Sequence, residues 1–335
     1  MLVTAPADST DQLTVTVSGR PTPPASTQIT APAHAWLSVV VAAAGGHHLS
    51  LTGPVGTPRA HLAKAVSRLM PDLARRDTGI VEAIWRLRPD ALRLGLRRRP
   101  PSLWRGHLSS DLDLLGGGPH LQPGAVSLAH RGVLILDQAG ALPSRTVAGL
   151  DDALAHKRAT CTDEVGTRTY RAGFQAVFTS TRCHCLPQQH QHGVLFNCPA
   201  GSDDPAYTER LATLTRHADL HIDLDTNIAC PHYDLAGKDL QGLARLADTA
   251  ARRARARMRD LLVRRTADLT PELLAHPRWD TPALVRLRRH AHRRLSAGQH
   301  TAVARVALTL ADLAGRPGPD HTDVHTAALL HGLHL

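Results

Sequence analysis

The sequence predicts an α/β protein: a three-layer domain around a parallel sheet, followed by an all-helical lid. Three observations carry this expectation. GVLILD (132–137) is a continuous apolar run ending in a carboxylate, as expected of a parallel strand buried on both faces. LTGPVGTPRAHLAKAV (51–66) runs from an apolar strand through Gly53 and Gly56 into an amphipathic helix, the opening of a βαβ unit. Beyond about Lys238 only helical periods follow.

Taken in order, residues 1–34 hold PTPPAS and many Ser, Thr and Pro, which predicts a loosely ordered arm. WLSVVVAAAGG predicts a short helix closed by Gly45-Gly46. HHLSLTG (47–53) reads as a buried strand and PRAHLAKAVSRLM as the helix after it. A loop-rich region spans Arg97 to Gly124, and SRTVAGLDDALAHK (144–157) predicts a helix. RAGFQAVFTST (171–181) and ADLHIDLD (218–225) predict two more strands, so residues 35–237 form the α/β core. In residues 238–335, LQGLARLADTAARRARARMRDLLVRR predicts one long arginine-rich helix. TPALVRLRRHAHRRL, HTAVARVALTLADLAG and HTDVHTAALLHGL complete the lid, with Thr322-Asp323 capping the last helix.

A chain of 335 residues can bury a sizeable core. It has no run of about 18 apolar residues, so no membrane-spanning helix is expected. MLVTAPADSTDQ lacks the basic end and apolar core of a secretory signal. Five unevenly spaced cysteines point away from a disulfide scaffold and toward a reducing cytoplasm. Basic residues outnumber acidic ones 39 to 29, a formal +10 that permits contact with nucleic acid. Nearly all are arginine, in a chain rich in Ala, Arg, Gly and Pro, the composition of a GC-rich genome. The charge therefore reads as a solvated basic surface rather than a dedicated nucleic-acid face. Arginines 252, 253, 255, 257 and 259 cover more than one helical face and cannot all meet one duplex.

Five ordered blocks carry a family resemblance: AAAGGHHLSLTGPVGT (42–57), LLGGG with PGAVSLAHRGVLILDQ (114–138), CHC (183–185), YTERL with DLHIDL (207–224), and LSAG with RVALTLADLAG (295–315). Together they resemble the magnesium chelatase-like branch of the AAA+ ATPases, which includes the chelatase ATPase subunit and the ComM-type proteins. SLAHRGVLILD is the most specific block. The resemblance implies an AAA+ P-loop fold with a helical lid, ATP and Mg²⁺ as cofactors, and ring-type oligomers. ComM-type relatives are implied to drive branch migration on DNA, and chelatase subunits to power metal insertion into a tetrapyrrole. Neither the extra N-terminal domain of the ComM type nor a metal-binding-type partner domain of the chelatase is expected in the chain.

Position by position, the implied chemistry is altered. The nucleotide-binding stretch is Gly53, Pro54, Val55, Gly56, Thr57, Pro58, Arg59 and Ala60, with Asp137 ending the Walker B strand. Such a loop cradles phosphates with backbone N–H groups and adds a lysine charge. Pro58 has no N–H and biases Thr57 out of the helical region. Arg59 keeps the charge as a larger planar fork, and Ala60 replaces the hydroxyl that would bind Mg²⁺. Gln138 stands where the catalytic glutamate is implied, and an amide cannot take a proton from water. Thr181 lies near the place of a polarising asparagine. His217 aligns with a trans-acting arginine, with Arg216 adjacent. Ala302 stands for a sensor arginine, with Arg305 nearly one turn further on.

Each lost transition-state group commonly costs about 10²–10³ in rate. The expectation is a pseudo-ATPase with little or no hydrolysis, a scaffold or regulator in a homo- or hetero-oligomeric ring. Binding of ATP without turnover stays open because the glycines, Arg59 and Asp137 survive. The alternatives are a weakly active DNA-associated ATPase and a zinc-dependent nucleic-acid-binding module. For zinc, TRCHCLPQQHQHGVLFNCP (181–199) offers Cys183, Cys185 and Cys198, with His190 or His192 as fourth ligand; three reduced cysteines in a degenerate loop are the competing explanation. His47-His48 are adjacent on a strand, point to opposite faces and read as structural.

Overall fold

The computed structural model describes residues 12–17, 27–88, 98–163, 166–181, 204–226, 228 and 235–333. Its strands are β1 Gln12–Val17, β2 Thr27–Pro32, β3 Leu49–Gly53, β4 Ser102–Arg105, β5 Gly116–Gly117, β6 Gln122–Pro123, β7 Val133–Asp137, β8 Arg158–Asp163, β9 Gly166–Arg171, β10 Gln175–Thr181 and β11 Leu220–Asp223. Five of them form the central sheet in the order β11-β3-β10-β7-β4. Every neighbouring pair in it is parallel. The C-terminal ends of β3, β7 and β10 therefore share one edge, which gathers Gly53, Asp137 and Thr181.

The apolar run at β7 does what its composition predicts. Val133 and Ile135 pack into one core cluster, and Leu134 and Leu136 into another on the opposite face. The first face is covered by helices Ala33–Gly45, Arg59–Leu69, Leu240–Arg257 and Ala297–Ala314, contributing Val40, Leu62, Leu243 and Val306. The second is covered by Ser144–His156 and Pro205–Thr215 through Leu150 and Leu214. Helix Ala33–Gly45 is buried from His34 to Gly45, as a helix apolar all round must be. Gly46, at φ +77°, closes it with an N–H to the Ala42 carbonyl at 2.8 Å. Among the described residues no helix is long and apolar enough to cross a membrane.

Four expectations need correction. The loosely ordered arm over 1–34 fails at two segments: β1 and β2 pair antiparallel, Val15 and Ile29 enter the main core, and Trp36 Nε1 donates to the Leu13 carbonyl at 3.2 Å. The Ser/Thr/Pro content hid a period-two pattern, TVTV, whose β-branched residues suit a half-buried strand. The strand expected over 171–181 is shorter, because Arg171 closes a separate β8–β9 hairpin and β10 begins at Gln175. The long arginine-rich helix stops at Arg257, and Leu261 and Val263 fold back against the core. The last helix, His321–Leu330, is capped by Asp320, with Asp323 at the third helical position completing a capping box.

The arginine run is largely consumed inside the chain. Arg257 forms an ion pair with buried Asp312, and Arg253 donates to the Asp312 carbonyl at 2.7 Å. Arg252 pairs with Asp248 at 2.7 Å, one turn away. At the N-terminal edge of the sheet, buried His47 bridges Asp219 (2.7 Å) and the Thr309 hydroxyl (2.8 Å), tying the last strand to a C-terminal helix. His48 accepts the Ala176 N–H at 2.8 Å.

Three histidines make folding acid-sensitive. Burial lowers His48 to about 3, burial and then Arg131 lower His130 to about 4, and burial and then His331 lower His221 to about 4. Each takes a proton near pH 6.5 only when unfolded, so stability falls as pH drops from about 6.5 toward 4, by up to about 1.4 kcal/mol per pH unit per histidine. In urea unfolding across that range, His48→Asn, whose amide oxygen can still accept from Ala176, is expected to reduce the slope by about that amount. An unchanged slope would refute the assignment.

Candidate nucleotide site

The glycine loop closes β3 and leads into helix Arg59–Leu69. Gly53 has no room for a side chain without displacement: a Cβ there would lie 3.1 Å from that of Leu224 and 3.2 Å from the Thr57 hydroxyl. Gly56 takes φ +91°, the left-handed region glycine supplies at no steric cost, and Val55 beside it is exposed. The rest of the loop is turned on itself. Thr57 sends its hydroxyl (2.8 Å) and its N–H (3.3 Å) to the Pro54 carbonyl. Pro54 and Pro58 have no N–H to offer, and the Arg59 N–H goes to the Thr57 carbonyl at 2.9 Å. Ala60 follows in the first turn of the helix with only a methyl group.

The Arg59 side chain reaches across to the end of β10. One guanidinium nitrogen donates to the Ser180 carbonyl (2.5 Å) and the Thr181 hydroxyl (2.7 Å). Thr181 also receives the Gln138 amide Nε2–H at 2.5 Å, and Tyr207 donates its phenol to Gln138 Oε1 at 3.4 Å. Gln138 sits in the left-handed region at φ 54°, just past β7. Asp137 accepts from the hydroxyl of Thr179, its register partner on β10. Burial draws the Arg59 guanidinium below its usual range, against the charges of Asp137 and Tyr207, which pull it back up. Burial likewise raises the Tyr207 phenol.

The structure thus brings Arg59, Gln138 and Thr181 into one network and leaves His217 and Ala302 outside it. His217 (2.7 Å) and Arg216 (2.7 and 2.6 Å) jointly grip Asp151. Ala302 is buried. Arg305 donates to the Leu269 carbonyl at 2.6 Å and meets Asp219 at 3.5 Å, at the sheet edge away from the loop. Cys183, Cys185, His190 and Cys198 lie outside the described residues, and among the described ones no cluster of three or more His, Cys, Asp or Glu could hold a metal. Sequence reasoning missed Ser180 and Tyr207. A signal existed for Tyr207, which opens the YTERL block; Gly140 leaves room for its ring, as a Cβ there would lie 2.7 Å from it.

The model of the family described as magnesium chelatase, subunit ChlI, matches residues 26–229. The chain belongs to this family. An uncharacterized protein of Mycobacterium tuberculosis, Rv2897c, is 32% identical over 296 residues, covering 87% of this chain and 58% of its own length. The uncharacterized protein YifB of Escherichia coli is 35% identical over 162 residues, 44% of this chain and 31% of the relative. The competence protein ComM of Haemophilus influenzae is 33% identical over 112 residues, 33% and 22% of the two chains. The chain spans little more than half the length of the mycobacterial relative.

If the guanidinium is a working part of the fold, Arg59 and Thr181 must be energetically coupled. A double-mutant cycle with Arg59→Ala and Thr181→Val, read by urea unfolding, is expected to give a coupling of about 1 kcal/mol. Strict additivity would show that the contact carries no stability.

Proposed function

We propose that this chain is a non-catalytic member of the family, a pseudo-ATPase that serves as a cytoplasmic scaffold or regulator within a homo- or hetero-oligomeric ring. The observation that carries this reading is the Arg59–Thr181–Gln138–Tyr207 network. Three side chains that a nucleotide engine would turn toward triphosphate and water are here hydrogen-bonded to one another. The loop supports the same reading. Two prolines and two inward N–H groups leave few donors for phosphate oxygens, and Ala60 has no hydroxyl for Mg²⁺. The residues present fit a magnesium–triphosphate poorly. Residues 35–237 would supply the ring-forming core and residues 238–335 the lid packed on its sheet.

Purified protein is expected to release phosphate from ATP more than about a hundredfold more slowly than an intact family member, since several preorganised groups are gone. Steady turnover at the intact rate, abolished by Asp137→Ala, would overturn the proposal. Restoring the loop and base together (Pro58→Gly, Arg59→Lys, Ala60→Thr and Gln138→Glu) is expected to tighten ATP binding by at least about tenfold in calorimetry.

A further inference from the structure

The sheet edge opposite the glycine loop carries a second concave surface. A cavity of about 610 Å³ opens between the turn before β7, the β8–β9 hairpin and the segment 262–268. Among the described residues six cations line it, Arg131, Lys157, Arg158, Arg171, Arg264 and Arg265, with one carboxylate, Asp268. Asp268 serves Lys157 (2.6 Å) and Arg265 (3.0 Å). Asp77 serves Arg264 (2.7 Å) and, at 3.6 Å, Arg131. Two carboxylates are thus shared by four cations.

The other two cations are in conflict. Arg158 and Arg171 stand directly opposite each other across the β8–β9 ladder, both exposed, with no carboxylate partner among the described residues. Like charges in that relation destabilise a strand pair. An anion between them would convert repulsion into two charge-assisted contacts.

His130 is 5% exposed, and its Nδ1 accepts the Gly173 N–H at 3.0 Å. The remaining ring proton therefore sits on Nε2, which is buried without a hydrogen-bond partner. Burial first, and then the Arg131 charge, hold the ring near pKa 4, so it is a neutral donor at physiological pH. Arg131 takes the left-handed φ of 64°, fixed by its N–H to the Gly173 carbonyl at 3.0 Å, and its Nε faces Asp77 Oδ1 at 3.6 Å. Both residues precede β7, whose five residues separate them from Asp137 by roughly 16 Å.

We propose that this cavity binds a compact phosphate-bearing small molecule, gripped by Arg158, Arg171 and Arg131. Its volume falls in the range of about 300–1,000 Å³ that suits a small ligand rather than a polymer track. Planar guanidinium forks match phosphate oxygens bidentately. The inference does not depend on the state of the glycine loop.

Calorimetric titration of the full chain with pyrophosphate tests it. Saturable binding is expected in the unaltered protein, weakened at least about tenfold in Arg158→Ser and in Arg171→Ser and unchanged in Arg59→Ala. Without ligand, both serine variants are expected to melt no lower than the unaltered chain, because each removes the cross-strand repulsion. Absence of saturable binding up to about 10 mM pyrophosphate would overturn the proposal. So would a loss seen with Arg59→Ala instead of the hairpin variants, or a lower melting temperature in both serine variants. Binding of a single-stranded oligonucleotide with none of pyrophosphate would also overturn it, in favour of a nucleic-acid contact.

Discussion

A parallel sheet must be covered on both faces, and that requirement organises the molecule. Its strands cannot be joined by tight hairpins, so each crossover delivers a helix to one face or the other. Val133 and Ile135 look to one side of β7 and Leu134 and Leu136 to the other, and each pair needs its own layer. The C-terminal helices are part of that solution. They share one apolar cluster with Leu49, Ile135 and Ile222 of the sheet, and His47 joins them to the strand layer through Asp219 and Thr309. With both faces closed, two concave surfaces lie at the strand ends. One carries the glycine loop, and the other carries the basic cavity.

At the loop edge Arg59, Gln138 and Thr181 make sense as a set. A planar guanidinium reaches two acceptors at once, the Ser180 carbonyl and the Thr181 hydroxyl. Thr181 then takes a second donor from Gln138, whose own oxygen receives Tyr207. A glutamate at 138 could not donate to Thr181. Arg59, Thr181, Gln138 and Tyr207 are therefore physically linked: each supplies a partner that its neighbour needs, and a partly buried polar group left unpaired would cost stability.

The arginine-rich composition has a comparable explanation. Arg257 and Arg253 fasten the long helix to Asp312, Arg216 with His217 fastens a turn to Asp151, and Arg305 holds the Leu269 carbonyl. These are structural fasteners, spread around the molecule. The lining of the basic cavity differs, because there the cations converge and outnumber the carboxylates that serve them.

The sequence by itself determined the layered α/β fold, the buried strands within 47–53 and 132–137, the helix end at Gly45-Gly46, and the two prolines of the glycine loop. These features rest on local signals: apolar runs, glycine at left-handed caps, and the covalent fact that proline has no N–H. Only the tertiary structure decided that β1 and β2 pair, that Arg59 turns onto Thr181, that Arg305 faces away from the loop, and that Arg158 and Arg171 oppose each other beside His130. Those contacts join residues far apart in the chain, 121 positions in the case of Arg59 and Ser180. No local period reports where an arginine will find its acceptor. Long-range packing decides it, since the geometry of the closed layers fixes which polar groups come within reach.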